Sequence, residues 1–180
     1  METATLAGGC FWCTEAIFKR LKGVISVTSG YAGGKISDPS YEHISTGKTG
    51  HAEAIQIQFD PKIISFDKLL DIFWVVHDPT TLNKQGPDVG TQYRSVIFYH
   101  DENQKRKAEE SKRKLQKSGI LNEKVVTEIK PFTGFFTAEE YHQNYYEINK
   151  NSNPYCLLVI DPKIEKLLIK FNQEVKEEYK

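Results

Sequence analysis

From Ala52 to Phe59 the residues alternate, with Ile55, Ile57 and Phe59 on one side of an extended chain and Gln56 and Gln58 on the other. Successive side chains of a strand point to opposite faces, so the pattern predicts a half-buried strand, stopped by Asp60-Pro61. Such a strand needs partners in a sheet and a layer covering its apolar face. Thr3 to Ala7 supplies one strand-like run, closed by Gly8-Gly9, and Val24 to Ser29 another. The run Tyr93 to Tyr99 is apolar on both faces, as a central strand is.

Helical spacing falls between these runs. Ile17, Phe18 and Leu21 share one face after Gly9, and Phe66, Leu69, Leu70 and Phe73 recur after an N-cap at Ser65 until Asp78-Pro79. The order β-α-β-β-α-β predicts an α+β fold with a ferredoxin-like split β-α-β core, a two-layer sandwich with helices on one side of the sheet. Additional C-terminal elements follow. A charged helix capped by Asp101 and Gln104 runs to about Lys117, and Val125 to Ile129 is expected as an edge strand. Thr137 and Glu140 read as the capping box of a helix to about Lys150, and a last helix from about Lys163 buries Ile164, Leu167, Leu168 and Phe171. Without repeats or linkers, the 180 residues are expected to form a single catalytic domain, 1–180.

Lysine and arginine number 24, matched by 24 aspartates and glutamates, which argues against a broad surface for nucleic acid or anionic membrane. The N-terminus Met1-Glu2-Thr3-Ala4 lacks a signal-peptide pattern and no stretch nears the roughly 18 apolar residues of a membrane span, so a cytoplasmic location is expected. In that compartment the three cysteines read as reduced thiols with chemistry, or as core residues, rather than as a disulfide scaffold.

Cys10-Phe11-Trp12-Cys13 places a thiol at the start of a helix, where unpaired N–H groups and the positive end of the dipole favour its ionisation. The second thiol lies one turn on, within reach of a disulfide, and the two aromatics offer an apolar pocket. The alternative is a pair of buried small hydrophobes beside core aromatics. Structural zinc is disfavoured, because no second paired motif supplies four ligands, and the five histidines lack ligand spacing. Glu53 shares the apolar face of its strand. Desolvation there would keep it protonated and make it a proton donor, unless the strand end lets it reach solvent. Tyr41, Tyr93 and Asp88 lie in or beside loops at element ends, where catalytic residues gather and where tyrosines also serve as core aromatics. The lysine-rich run from Lys105 to Lys117 reads as a solvated helix face.

Five stretches then occur in one order: Gly9-Cys10-Phe11-Trp12, Gly30-Tyr31-Ala32-Gly33-Gly34, Pro39-Ser40-Tyr41-Glu42, Thr49-Gly50-His51-Ala52-Glu53, and Asp88-Val89-Gly90-Thr91-Gln92-Tyr93-Arg94-Ser95. With them the chain closely resembles the A-type peptide methionine sulfoxide reductases. The resemblance implies reduction of methionine S-sulfoxide, free or in proteins, with Cys10 attacking the sulfoxide sulfur and ending as a sulfenic acid. It implies that Phe11 and Trp12 hold the S-methyl group, that Glu53, Tyr41 and Tyr93 hydrogen-bond the sulfoxide oxygen, and that Asp88 organises that polar shell. It points to thioredoxin as reductant and calls for no cofactor. Cys13 stands where many members have glycine, and only Cys156 remains of the tail cysteines, followed by Leu157-Leu158-Val159-Ile160 rather than a glycine-rich segment. Both are candidate resolving thiols, with Cys13 favoured by its fixed nearness. Two other classes remain open on the residues alone: a general Cys-X-X-Cys thiol-disulfide oxidoreductase, and a ferredoxin-like binding module whose cysteines are incidental.

Overall fold

The computed structural model describes all 180 residues. The protein is α+β: a mixed sheet with helices packed on it. Strands β1 (Glu2–Gly8), β2 (Val24–Ala32), β3 (Ala52–Phe59) and β6 (Ser95–Tyr99) form the centre, and β1 pairs antiparallel with both β3 and β6. In register, Leu6 faces Ile55, Ala4 faces Ile57 and Tyr31 faces Glu53. Strands β7 (Glu128–Pro131) and β8 (Phe135–Thr137) add the two edges, giving the order β7-β6-β1-β3-β2-β8.

The alternation in β3 does what its period demands. Ile55, Ile57 and Phe59 lie in one core with Leu6 and Ile97, covered by helices α1 (Phe11–Lys19) and α3 (Phe66–Val76), which bring Ile17, Phe18, Leu70 and Phe73 to it. On the opposite face Ala7, Ala32, Ala52 and Ala54 make a shallow apolar patch with Val96 and Phe98, against which Phe132 and Phe135 pack. The expected caps are present: Ser65 Oγ accepts from Lys68 N at 3.1 Å, and Asp101 Oδ1 accepts from Gln104 N at 2.8 Å at the start of α4 (Glu102–Lys117). Shorter elements complete the chain: α2 (Tyr41–Ser45), a small hairpin of β4 (Lys84–Gln85) and β5 (Asp88–Val89), α5 (Tyr145–Asn149) and α6 (Asp161–Phe171). No helix is long and apolar enough to cross a membrane.

Four local expectations are corrected, the first two by tertiary hydrogen bonds. Thr137 does not cap a helix: it pairs with Gly30 in β8, Ala138 N donates to Ser29 O, and the helix begins only after Asn144, whose φ is +55°. The edge strand begins at Glu128 rather than Val125, because Val125 N donates to Gln116 Oε1 and Val126 N to Pro79 O. β2 runs on past Ser29 to Ala32, so Tyr31 lies within the strand. Tyr93 sits in a 3₁₀ turn, Thr91–Tyr93, ahead of the strand.

Candidate active site

β1 stops at Gly8, and Gly9 adopts φ +91° to turn the chain into α1. A Cβ at Gly9 would lie 2.5 Å from the Gln85 side chain, so the turn requires glycine both for its dihedral and for space. Cys10 is the N-cap of α1, and its side chain caps no backbone N–H. That task falls to Glu53, whose Oε2 accepts from Phe11 N at 3.0 Å across the interface between β3 and α1. Only 2% of Glu53 is exposed, and burial pushes its carboxyl up to about 8, more than the Phe11 N–H pulls it down. A protonated carboxyl is thereby held beside Cys10 at neutral pH.

Aromatic rings wall this point. Trp12 stacks on Tyr145 with centroids 3.7 Å apart and meets Tyr155 edge-on at 5.7 Å. Its Nε1–H donates to His142 Nδ1 at 3.0 Å, which places the proton of the neutral imidazole on Nε2, and burial keeps that ring from protonating easily. His142 packs against Phe11 and Tyr41 with centroids at 5.0 and 4.6 Å. Glu139 ties the wall to the sheet: its two oxygens accept from Tyr41 N at 2.7 Å and Tyr31 OH at 2.8 Å. The Tyr41 and Tyr93 phenols are both held protonated, first by burial and then by the nearby Glu53 carboxyl. Asp88 accepts from Tyr155 OH at 2.5 Å, and the same hydroxyl lies 3.8 Å from Cys13 Sγ.

The thiols behave as a pair. Burial pushes Cys10 up, helped by its hydrogen bond to Cys13 and by the Cys13 and Glu53 charges. Cys13 is drawn down to about 7, chiefly by that hydrogen bond from Cys10, with Lys163 adding to it against burial. Burial thus opposes the easier ionisation expected of Cys10 at a helix start. Its sulfur takes no backbone N–H and is desolvated beside a carboxyl, whereas Cys13 is the more easily ionised of the two. Cys156 is also buried and free, and burial pushes its thiol up.

Cys10, Phe11, Trp12, Cys13, Tyr41, Glu53, Asp88 and Tyr93 thus gather around the start of α1, while His142, Glu139, Tyr145 and Tyr155 wall the same place without having been singled out by sequence. No group of three or more His, Cys, Asp or Glu side chains gathers as metal ligands do. Cys156 lies at the head of a π-helical turn, Cys156–Ile160, that runs into α6. A signal for this helix was present: Asn153 Oδ1 accepts from Tyr155 N at 2.9 Å, and Pro154 follows Asn153 at the first helical position, an N-cap and N1 pair.

Known proteins place this geometry. The family model described as peptide methionine sulfoxide reductase matches residues 2–176. A peptide methionine sulfoxide reductase MsrA of Saccharolobus solfataricus is 57% identical over 176 residues, 98% of each chain. Among solved structures, reduced Mxr1 of Saccharomyces cerevisiae superposes with a TM-score of 0.79 at 38% identity, over 84% of this chain and 87% of that one. The same yeast protein in complex with Trx2 gives a TM-score of 0.58 at 29% identity, over 80% and 84% of the two chains. A match running through both the thiol-bearing helix start and the strand of Glu53 shows that this chain belongs to the peptide methionine sulfoxide reductase family.

Proposed function

We infer that the chain reduces methionine S-sulfoxide, free or in proteins, to methionine, an oxidoreductase reaction that repairs oxidative damage. The observation that carries the reading is Glu53: a carboxyl buried on an otherwise apolar strand face, protonated near neutrality and hydrogen-bonded to the first residue after Cys10. Breaking an S–O bond requires an attacking thiolate on sulfur and a proton on oxygen, and both groups lie in this pocket.

The Cys10 thiol passes its proton to the Cys13 thiolate, and the freed Cys10 thiolate attacks the sulfoxide sulfur. Glu53 delivers its proton to the oxygen and becomes a carboxylate, leaving the methionine sulfur bonded to both a hydroxyl and Cys10 Sγ; transfer of the hydroxyl to Sγ breaks both of those bonds to the methionine sulfur, and methionine leaves with Cys10 as a sulfenic acid. The Tyr41 and Tyr93 hydroxyls hold the sulfoxide oxygen, with Asp88 ordering the polar side through Tyr155. Phe11 and Trp12 take the S-methyl group. Cys13 then attacks the sulfenic sulfur, water leaves, and a disulfide forms that an external dithiol reduces. Thioredoxin fits that part, and the yeast relative has been solved in complex with Trx2. Cys156 is the second resolving candidate.

The frame is read as one domain, 1–180, on a ferredoxin-like split β-α-β core, because β1, α1, β2, β3, α3 and β6 give the order β6-β1-β3-β2 that such a unit has. A cytoplasmic site of action accords with three unpaired cysteines.

Incubation with each sulfoxide epimer and dithiothreitol tests the function: methionine is expected from the S epimer, and no methionine from either would refute the reading. Trp12→Ala removes the ring stacked on Tyr145, and an apolar contact of this kind is worth roughly 1–3 kcal/mol, so kcat/KM should fall by about 10- to 100-fold. An unchanged preference between substrates with and without the methyl group would place the pocket elsewhere. One equivalent of substrate without reductant should give a Cys10–Cys13 disulfide first, mapped by mass spectrometry of the digest. A Cys10–Cys156 bridge as the first species would transfer the resolving role to Cys156.

A further inference from the structure

Behind the thiol pair, between α3, the C-terminal turn of α4 and α6, lies a cavity of about 710 Å³, within the range of ligand-binding clefts. Trp74, Val76, Pro79, Leu115 and Leu121 give it an apolar floor. One rim is cationic: Lys163, Lys166 and Lys170 lie on one stripe of α6, and none of them joins a salt bridge. The carboxylates lining the cavity are Asp78 and Glu123, and Asp78 is occupied by the Thr80 N–H and hydroxyl at 2.9 and 2.6 Å.

The spacing selects an occupant. Seven residues of helix span about 10.5 Å, the length that about three residues of extended chain cover. Side chains of an extended segment alternate, so acidic residues on one side would meet the lysines while apolar residues on the other meet the floor. A small anion would use one ammonium group and leave the floor wet.

The groove shares two walls with the thiol site. In the β4–β5 hairpin Gln85 lines the groove and packs under Gly9, while Asp88 holds Tyr155 in the site. In the helical segment that follows, Tyr155 faces Trp12 and Lys163 faces the groove.

We propose that this groove docks a segment of the protein under repair in which acidic and apolar residues alternate, so that it contributes to the choice of protein substrates. The role in repair rests on the reductase reading above; the binding itself does not. The test uses a fluorescein-labelled, methionine-free peptide of alternating Glu and Leu, its Gln-Leu counterpart, and the full chain with and without the double substitution Lys166→Glu, Lys170→Glu. Anisotropy should show saturable binding of the acidic peptide, weakened about 10-fold or more by the double substitution and by the Gln peptide, because like charges then face one another or the pairing is lost. For a methionine sulfoxide peptide carrying the acidic extension, the double substitution should raise KM with kcat unchanged, and turnover of free methionine sulfoxide should not move. Equal binding of the Glu and Gln peptides, binding insensitive to the double substitution, or an unchanged KM would overturn the proposal. Intact, charge-dependent peptide binding in a chain that reduces no sulfoxide would instead overturn the reductase reading.

Discussion

Cys10→Ser is expected to lose turnover altogether while keeping the fold. The substitution exchanges sulfur for oxygen at the N-cap of α1, a position where serine is well tolerated, so stability should hold. Chemistry is different. A hydroxyl whose proton is far harder to remove cannot supply the soft anion that attacks sulfur, and Cys13, one turn on, points to Tyr155 rather than replacing it. Methionine release from the S-sulfoxide, followed in a single turnover and at steady state, should fall to the uncatalysed level while circular dichroism and Tm stay near wild type. Turnover retained at more than a few per cent would remove Cys10 from the role assigned to it.

Glu53→Gln should separate activity from stability. The amide keeps the size of the group and can still accept from Phe11 N, but it has no proton to give, so the reductive half-reaction should slow by about 10²-fold or more. Stability should move the other way. The folded carboxyl titrates near 8 against 4.5 in a free chain, so the two states bind protons alike below 4.5. Above it the unfolded state ionises and the folded one does not, and folding is penalised progressively until the folded carboxyl ionises near 8. At pH 7 that penalty is about 3 kcal/mol at 1.36 kcal/mol per unit, and glutamine does not incur it. Denaturant melts at pH 5 and pH 7 should therefore converge toward wild type at the lower pH and show the variant more stable at the higher. A variant that is less stable at pH 7, or as active as wild type in a single turnover, would mean that Glu53 is ionised at rest or that the oxygen takes its proton elsewhere.

Both results depend on which parts of the pocket were legible beforehand. The inward phase of Glu53 was, because a strand's period is 2 and three of the four residues on that face are apolar; desolvation then follows from position alone. The helix start at Cys10 was legible from Gly8-Gly9 and the apolar spacing behind it. The protonation order of the two thiols was not. It depends on the interaction between the two sulfurs, on the depth of burial, and on Lys163, 150 residues from Cys13 in sequence. The wall of the pocket was equally hidden, since His142 and Tyr145 lie in a stretch whose local capping pattern, Thr137 with Glu140, was overridden by the pairing of Thr137 with Gly30. The run Leu157 to Ile160 has no helical period to betray it, whereas Asn153 and Pro154 start a helix whose π-helical turn packs against α1 and continues into α6.

The sequence by itself determined the elements whose order comes from local periodicity, the candidates for nucleophile and acid and, through the joint occurrence of its motifs, the family, because each of these is carried by short patterns of residues near one another in the chain. Only the tertiary structure decided which thiol of the pair ionises more easily, which rings hold Trp12, and that a cationic groove with an apolar floor lies behind the site. Those properties come from groups that are distant in sequence and meet only after the sheet closes, and electrostatic and packing energies depend on distance in space, not on position along the chain.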